Sequence, residues 1–240
     1  MGVIEIGAGV GVLTKELAKL AKKVVSIELD TALLPILGET LGEFENIEII
    51  NEDVLKADLH KIIKEHFGDM KVAVCANLPY YITSPVIMKL LESRLPLENI
   101  TVMVQKEAAD RLCAEVGSRT AGAVTVSVDY YSEAEKLFDV FRDSFIPSPK
   151  VDSAVIQLCV RKEPEIEIAD EKLFFRMVKA AFAQRRKTAL NSLSAGMSIP
   201  KDKIAQAIKN AGFRPDLRAE ALSMEDLAKL CNAIYEVENA

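Results

Sequence analysis

The chain has 240 residues, half of them hydrophobic, and a formal net charge of −6, which excludes a disordered chain and allows one large domain or one domain with a smaller attachment. No apolar run approaches the roughly 18 residues of a membrane span, and no basic segment precedes an apolar stretch as in a signal peptide. Four scattered cysteines and two histidines favour reduced thiols in the cytoplasm, with neither disulfides nor a metal site.

Apolar runs typical of buried strands alternate with helical patterns along the N-terminal half of the chain. The predicted strands are Val3–Ile6, Val24–Ile27, Ile47–Ile50, Val72–Ala76 and Ile100–Val104. The predicted helices are Val12–Leu20, Ala32–Leu41, Leu59–His66, Pro85–Leu91 and Glu107–Glu115. This alternation predicts a parallel α/β sheet with helices on both faces.

The pattern changes in the second half of the chain. Ala123–Tyr130 and Ser153–Val160 both have the composition of strands, and they predict an antiparallel pair at the edge of the sheet. The remaining segments have helical spacing, over Leu173–Leu193, Lys201–Asn210 and Met224–Val237. We therefore predict two domains, 1–165 and 166–240.

Positive charge is concentrated in one segment of the predicted second domain. Residues 171–218 contain eleven Lys or Arg against three acidic residues, a net charge of +8, so the rest of the chain carries −14. A basic tract is often only a solvated helix face. An excess this one-sided in an acidic chain favours a polyanionic partner.

A glycine-rich turn follows the first predicted strand and precedes the first predicted helix. Its spacing, Glu5-x-Gly7-x-Gly9-x-Gly11, indicates a nucleotide-type ligand. A dinucleotide fingerprint would need a glycine where the chain has Val12. S-adenosylmethionine (SAM) fits better than NAD, because SAM has no pyrophosphate to cap the helix and its sulfonium favours nearby carboxylates such as Glu5.

Two acidic residues follow the next two predicted strands. Glu28 lies 21 residues after Gly7, close to the spacing of about 20 expected for a carboxylate that binds ribose hydroxyls. Asp53 is placed to accept a hydrogen bond from the adenine amine of the cofactor. Taken singly, these residues are equally well explained as solvated strand ends, and the glycines as a tight turn. On successive strand ends they together favour a cofactor site.

The tetrapeptide Asn77-Leu78-Pro79-Tyr80 follows the fourth predicted strand. Ligands of open α/β sheets bind at the carboxyl ends of the strands. The Asn77 side-chain oxygen and the Leu78 carbonyl can accept both hydrogens of a nucleobase amine, and the Tyr80 ring can stack on the base. By itself the tetrapeptide also suits an ordinary turn after a strand.

With this tetrapeptide after a SAM-type site, the sequence resembles the ribosomal RNA adenine N6,N6-dimethyltransferase family. Four further motifs carry the resemblance in the family's order: Val104-Gln105-Lys106-Glu107, the Phe-x-Pro-x-Pro-x-Val-x-Ser motif from Phe145 to Ser153, Phe182–Thr188, and Arg218-Ala219-Glu220-x-Leu222. The resemblance implies a Rossmann-like class I SAM-dependent methyltransferase sheet, mostly parallel with an antiparallel edge strand, and a small C-terminal helical domain.

The resemblance also implies roles for individual residues. Those that would contact SAM or its surroundings are Gly7, Glu28, Asp53 and Asn77, and those that would hold the target adenine are Asn77, Leu78, Tyr80 and Phe145. The basic residues Arg185, Arg186 and Lys187 would contact RNA phosphate from the edge of a helix. The implied substrate is a pair of adjacent adenosines near the 3′ end of small-subunit ribosomal RNA, within the immature subunit, and the expected enzyme is a monomer.

Several alternatives remain open at this point. Tyr80 and Phe145 are alternatively packing aromatics, and a ribosome-assembly factor that does little or no methylation would share the basic segment. Macrolide-resistance methylases, which modify large-subunit RNA, share the tetrapeptide, although the C-terminal motifs favour the small-subunit branch. A dehydrogenase is disfavoured by Val12 and by the tetrapeptide. The family normally carries a Gln-x-Phe-Leu-type segment ahead of the first strand, and we expect cofactor affinity and activity to be sensitive to its absence from this sequence.

Overall fold

The computed structural model describes residues 1–184 and 186–239. Its strands are β1 (Gly2–Ile6), β2 (Lys23–Glu28), β3 (Ile47–Asn51), β4 (Val72–Asn77), β5 (Leu97–Gln105), β6 (Ser132–Val140) and β7 (Ser153–Val160). Its α-helices are α1 (Val12–Leu20), α2 (Leu34–Leu41), α3 (Leu59–Phe67), α4 (Thr83–Glu92), α5 (Lys106–Leu112), α6 (Ala123–Tyr131), α7 (Glu171–Phe182), α8 (Ala189–Met197), α9 (Lys201–Asn210) and α10 (Met224–Asn239). The five strands and five helices predicted in the N-terminal half are confirmed, with bounds that differ by a few residues.

The strands form one sheet in the order β3-β2-β1-β4-β5-β7-β6. Strands β1 to β5 pair in parallel, whereas β7 pairs antiparallel with β5 and with β6. The mostly parallel sheet is therefore confirmed. The antiparallel strand lies one position inside the edge, and β6, which runs in the same direction as β1 to β5, is the edge strand.

The centre of the sheet explains why its strands are continuous apolar runs. All five residues of β1 are buried, and Ile4 pairs with Val25 of β2 on one side and with Val74 of β4 on the other. Helices cover both faces of such a parallel sheet, so its strands lack polar alternation. The strand order reverses between β1 and β4, and this reversal opens a crevice at the carboxyl edge of the sheet.

The predicted strand Ala123–Tyr130 is wrong, because these residues form helix α6. The alternating β-branched residues of this segment suggested a half-buried strand. In the structure Thr125, Val126, Ser127 and Val128 are all buried. A helix buried around most of its circumference has no polar face, so its sequence lacks the periodicity that distinguishes it from a strand. The strand that pairs with β7 is instead β6.

The chain divides into two compact units, and the division differs from a single boundary at residue 165. The first unit comprises residues 1–109 and 132–160, and the second comprises residues 110–131 and those from 161 onward. Within the second unit the Tyr131 ring stacks on Phe175 with centroids 5.3 Å apart, and the Tyr131 hydroxyl donates to Glu171 at 2.8 Å. These contacts attach α6 to α7, so the second unit is discontinuous in sequence.

The helix predicted over Leu173–Leu193 is two helices, α7 and α8. Thr188 is the N-cap of α8, and its side-chain oxygen accepts a hydrogen bond from the Asn191 amide, as expected at this position. Arg186 and Lys187 are exposed in the connection between the two helices rather than on a helix face. Arg185, the third residue of the predicted phosphate contact, lies outside the described residues.

Candidate active site

The glycine turn between β1 and α1 lies at the carboxyl edge of the sheet. Gly7 and Gly9 have φ values of +78° and +57°, in the left-handed region where glycine avoids the clash of a side chain. The Gly7 amide donates to the Ile27 carbonyl of β2 at 2.9 Å. This bond ties the start of the turn to the neighbouring strand.

Glu28 holds the same turn from the end of β2. Its side chain is largely buried, with Oε2 accepting from the Gly9 amide at 3.0 Å and Oε1 accepting from the Asp30 amide at 2.8 Å. A carboxylate oxygen has more than one acceptor position, so these bonds leave Glu28 able to accept from a ligand as well. Glu28 thus orders the turn and borders the space in front of it.

Glu5 is fully buried beneath the turn. The Thr14 hydroxyl of α1 donates to Glu5 Oε2 at 2.7 Å, while Oε1 accepts no hydrogen bond within the described residues. Burial raises the pKa of the Glu5 carboxyl above its ordinary value, against the opposing effect of the Thr14 hydrogen bond. Glu5 lines neither of the two cavities at this edge, so its direct contact with a cofactor stays a prediction.

Two cavities open at this edge of the first unit. One, of about 610 Å³, is lined by the glycine turn, Glu16, Glu28, Asn77 and Pro79. The other, of about 420 Å³, is lined by Glu28, Asp30, Asp53 and Tyr81 among others. Gly7, Glu28 and Pro79 border both cavities, so the two cavities lie next to each other.

Asp53 lies where the sequence predicts it, beside Glu28 in the smaller cavity. One carboxylate oxygen, Oδ1, accepts from the Leu55 amide at 2.9 Å and so shapes the turn that leaves β3. The other, Oδ2, is 3.7 Å from the Lys56 ammonium. Asn51 stabilises the same edge, since its side-chain amide donates to the Glu28 carbonyl at 2.8 Å.

The tetrapeptide begins at the last residue of β4. Asn77 pairs with Met103 of β5 and lines the larger cavity, and the Leu78 amide donates to the Met103 carbonyl at 3.3 Å. The Leu78 side chain is buried, which anchors the backbone at this point. Within residues 1–184 and 186–239, neither the Asn77 side-chain oxygen nor the Leu78 carbonyl accepts a hydrogen bond.

The two predicted stacking aromatics do not line either cavity. Tyr80 is half-buried, and its hydroxyl lies 2.8 Å from the hydroxyl of Ser153. Phe145 is half-buried in the loop between β6 and β7. The Arg142 amide near the start of this loop donates to Asp152 Oδ1 near its end, at 3.0 Å. No ring contact joins Tyr80 to Phe145 in the part of the chain that the structure describes.

Sequence reasoning did not assign three polar residues that support this edge. Thr14 binds Glu5, Asn51 binds the Glu28 carbonyl, and Ser153 binds Tyr80. Ser153 stood in a recognised motif without a role, and the other two are uncharged polar residues followed directly by charged ones. Only the pairing of elements distant in sequence brings each one to its partner.

The strand order, the antiparallel β7 and the glycine turn after β1 define a class I SAM-dependent methyltransferase. The family model described as ribosomal RNA adenine dimethylase matches residues 1–236. The chain belongs to this family, and it is a SAM-dependent ribosomal RNA methyltransferase.

Named relatives and solved structures agree with this assignment. The chain is 50% identical to ribosomal RNA small subunit methyltransferase A of Geobacillus sp. (strain WCH70), over 98% of this chain and 82% of that protein. It is 49% identical to the protein of the same name from Bacillus cytotoxicus, over 97% of this chain and 81% of that protein. The fold resembles a dimethyladenosine transferase from Plasmodium falciparum (TM-score 0.76, 27% identity, 95% of this chain and 88% of that one). It also resembles the 23S rRNA methyltransferase ErmE (TM-score 0.70, 30% identity, 98% and 91%).

The residues at the sheet edge fit SAM. A Cβ at Gly7 or Gly9 would meet no atom within 4 Å and would enter open space beside the turn, while the carboxylates of Glu28 and Asp53 border the smaller cavity. The described residues contain no cluster of three or more His, Cys, Asp or Glu that could hold a metal ion. None of the described helices combines the length and the apolar character needed to cross a membrane. The family disfavours both the dehydrogenase and an assembly factor that does not methylate RNA.

Proposed function

We propose that this chain dimethylates N6 of two adjacent adenosines near the 3′ end of small-subunit ribosomal RNA. The observation that carries the proposal is the pair of open acceptors at the end of β4, the Asn77 side-chain oxygen and the Leu78 carbonyl, beside the cavity that Gly7 and Glu28 also line. The relatives named small subunit methyltransferase and the C-terminal motifs support this substrate over large-subunit RNA.

The chain's own residues act first on the adenine amine. Its nitrogen is a poor nucleophile, because its lone pair is delocalised into the ring. Hydrogen bonds from N6 to Asn77 and to the Leu78 carbonyl favour a pyramidal nitrogen and stabilise the positive charge that develops during attack. Since β4 and β5 hold both acceptors in place beforehand, this is preorganised electrostatic stabilisation, and no general base is needed before attack.

The target adenine must leave its helix or lie in a loop to reach these acceptors. Tyr80 and Phe145 would stack on the extruded base, which is worth about 1–3 kcal/mol per base–aromatic contact. Pro79 restricts the backbone between the acceptors and the ring. Two transfers to one adenine also require room for a methyl group already on N6, and the larger cavity provides open space beside Asn77.

SAM supplies an electrophilic methyl group, and several residues are placed to orient it. Glu28 would accept from the ribose hydroxyls, Asp53 would accept from the adenine amine of the cofactor, and the Gly7–Gly9 turn allows close approach of the ligand to the backbone. Such positioning accounts for much of the rate of a transfer between two bound reactants.

The second unit would supply RNA affinity. Arg186 and Lys187 are exposed, and together with Arg185 they belong to the segment that carries a net +8. Contacts of this kind to phosphate position an RNA without reading its sequence. We further propose that the substrate is the immature small subunit and that the enzyme acts in the cytoplasm as a monomer.

The first test is methyl transfer from radiolabelled SAM to small subunits that lack adenine dimethylation. The parent chain should place two methyl groups on each of two adjacent adenines. Asn77→Ala removes one preorganised hydrogen-bond acceptor, and we expect it to lower kcat by about 100- to 1,000-fold, as for other such groups. Asn239→Ala, at the exposed end of α10, is the matched control and should transfer at the parent rate.

Subunit binding measured on the same variants separates catalysis from assembly. Asn77→Ala should bind subunits as the parent does, because it removes no phosphate contact. Transfer by Asn77→Ala at the parent rate would contradict the proposed mechanism. A parent chain that binds subunits without transferring methyl groups would contradict the proposed function and revive the assembly-factor hypothesis.

A further inference from the structure

The hydroxyl of Ser153 is a fixed point beside the proposed adenine site. Ser153 is fully buried and is the first residue of β7, where it pairs with Gln105 at the end of β5 and with Val140 at the end of β6. Neighbouring strands therefore hold its backbone on both sides. Its Oγ lies 2.8 Å from the Tyr80 hydroxyl, although 73 residues separate the two in sequence.

This bond restrains the far end of the Tyr80 ring, while the backbone restrains the near end. Tyr80 follows directly after Pro79, whose carbonyl accepts from the Ile82 amide at 3.1 Å, and the Leu78 amide is bonded to β5. The hydroxyl lies on the long axis of a tyrosine ring, so fixing its Cα and its hydroxyl fixes the direction of that axis and the χ1 rotamer, and leaves only rotation of the ring about the axis. By contrast, the ring of the adjacent Tyr81 is 85% exposed.

We propose that Ser153 is a positioning residue for methyl transfer, which holds the long axis of the Tyr80 ring in the direction that places the ring against the target adenine. This inference rests on the proposed function, in which Tyr80 carries the base. Ser153 touches neither substrate nor cofactor and acts through the Tyr80 hydroxyl. A preorganised ring avoids loss of rotamer freedom when the base binds, so the bond should favour productive binding of RNA without altering the SAM site.

Two single substitutions remove the same hydrogen bond from opposite sides. Ser153→Ala deletes the buried hydroxyl, and Tyr80→Phe deletes the phenol oxygen but keeps the stacking ring. A neutral hydrogen bond contributes on the order of 1 kcal/mol, so each variant should lower kcat/KM for RNA by about 3- to 10-fold. Tyr80→Ala, which also loses the stacking surface, should lose more than either. The Kd for SAM should stay at the parent value in all three.

The double variant Ser153→Ala/Tyr80→Phe provides the decisive measurement. If Ser153 acts through Tyr80, the double variant should be no slower than the worse single variant, since the bond is already lost. Ser127→Ala is the matched control, because Ser127 is also buried and its hydroxyl donates within α6, to the Ala123 carbonyl at 3.1 Å. It should reproduce any general cost of losing a buried serine hydroxyl and leave kcat/KM unchanged.

Defined outcomes would overturn the inference. Parent activity in Ser153→Ala, or losses that multiply in the double variant, would show that Ser153 does not act through Tyr80. If Ser153→Ala does not fold, Ser153→Cys offers a side chain of similar size with only a weak donor and acceptor, and the same comparison applies. An inactive parent would contradict the proposed function itself, whereas an active parent with an impaired Tyr80→Ala and an unaffected Ser153→Ala would contradict this inference alone.

Discussion

At the scale of single residues, Glu5 combines two properties that oppose each other. It belongs to the motif that predicts the cofactor site, yet it is fully buried, and one of its oxygens accepts no hydrogen bond from any described residue. Burial disfavours its charged form more than the Thr14 hydrogen bond favours it, which raises its pKa. The Glu28 carboxylate raises it further by like-charge repulsion. Glu5 therefore lowers the stability of the folded chain wherever it must ionise.

This gives a prediction for stability against pH. Because the pKa of Glu5 is raised in the folded state, the stability associated with its protonated form is fully present below the ordinary pKa of 4.5 and is lost as the pH rises through the raised value. Glu5→Gln cannot ionise. We expect its free energy of unfolding, relative to the parent, to improve from about pH 4.5 upward and then to level off. Urea denaturation of both proteins across that range measures the difference, and a difference independent of pH would contradict the prediction.

At the scale of structural elements, the turn between β1 and α1 shows how backbone conformation and ligand space are linked. Gly9 has φ +57°, and its amide donates to Glu28, while a Cβ there would meet nothing within 4 Å. Substitution therefore costs conformational strain rather than a clash. Gly38 lies in α2, where an added Cβ would also enter open space, and it has no positive φ. The two glycines therefore differ in φ, and φ decides whether a Gly→Ala substitution destabilises or stabilises the folded chain.

We expect Gly9→Ala to destabilise the chain by about 1–2 kcal/mol, because an L-residue pays that much in the left-handed region. Gly38→Ala should stabilise it by about 0.5–1 kcal/mol, because alanine loses less backbone entropy in a helix. Gly9→Ala should also weaken SAM binding, since its methyl group enters the space beside the turn, whereas Gly38→Ala should bind SAM as the parent does. Urea denaturation would measure the stability of the two variants, and titration calorimetry would measure their affinity for SAM. Equal stability of Gly9→Ala and Gly38→Ala would contradict the expected effect of φ.

Helix α6 shows where reasoning from local sequence stops at this scale. The alternating valines of residues 123–131 are compatible with a strand. α6 is helical because it is buried within the second unit, where the centroids of the Tyr130 and Phe174 rings are 5.6 Å apart. By contrast, the sequence predicts α9 with its observed bounds, since Lys201–Asn210 has one apolar stripe and Gly212 (φ +80°) follows its end. Apolar residues recur with the helical period in the sequence of an amphipathic helix, whereas the sequence of a buried helix lacks this periodicity.

At the scale of the whole molecule, charge is distributed unevenly. The segment 171–218 carries +8 in a chain of net −6. Arg186 and Lys187 of this segment are exposed, and no ion pair to an acidic side chain involves either one within the described residues. Exposed cations without acidic partners are available to phosphate. Binding that depends on them must weaken as salt rises, because phosphate contacts release condensed counterions.

We expect the affinity for small-subunit RNA to fall steeply as the salt concentration rises. Arg186→Ala and Lys187→Ala should each reduce the slope of log Kd against log salt concentration, by about 0.7–0.9 for each phosphate that the variant no longer neutralises. Lys64→Ala, an exposed lysine on α3, is the matched control and should leave the slope unchanged. Filter binding between about 50 and 200 mM salt measures this. Equal slopes for all variants would show that these residues do not contact phosphate.

The parallel half of the sheet, the glycine turn and the tetrapeptide from Asn77 to Tyr80 could be predicted from the sequence, because each depends on residues close together in the chain. Apolar runs specify buried strands, Gly7 and Gly9 allow a left-handed turn, and Asn77 and Leu78 adjoin in sequence as well as in space. The order of such local motifs along the chain also indicated the family to which the chain belongs.

Only the tertiary structure shows the features that depend on residues far apart in the chain. It placed β7 between β5 and β6, joined residues 110–131 to the C-terminal unit, and brought Ser153 to Tyr80 across 73 positions. It also buried Glu5, whose position in a glycine motif had suggested contact with the ligand. Burial and long-range pairing arise from the packing of whole elements against one another, and no local pattern of residue types encodes which distant element will supply the partner.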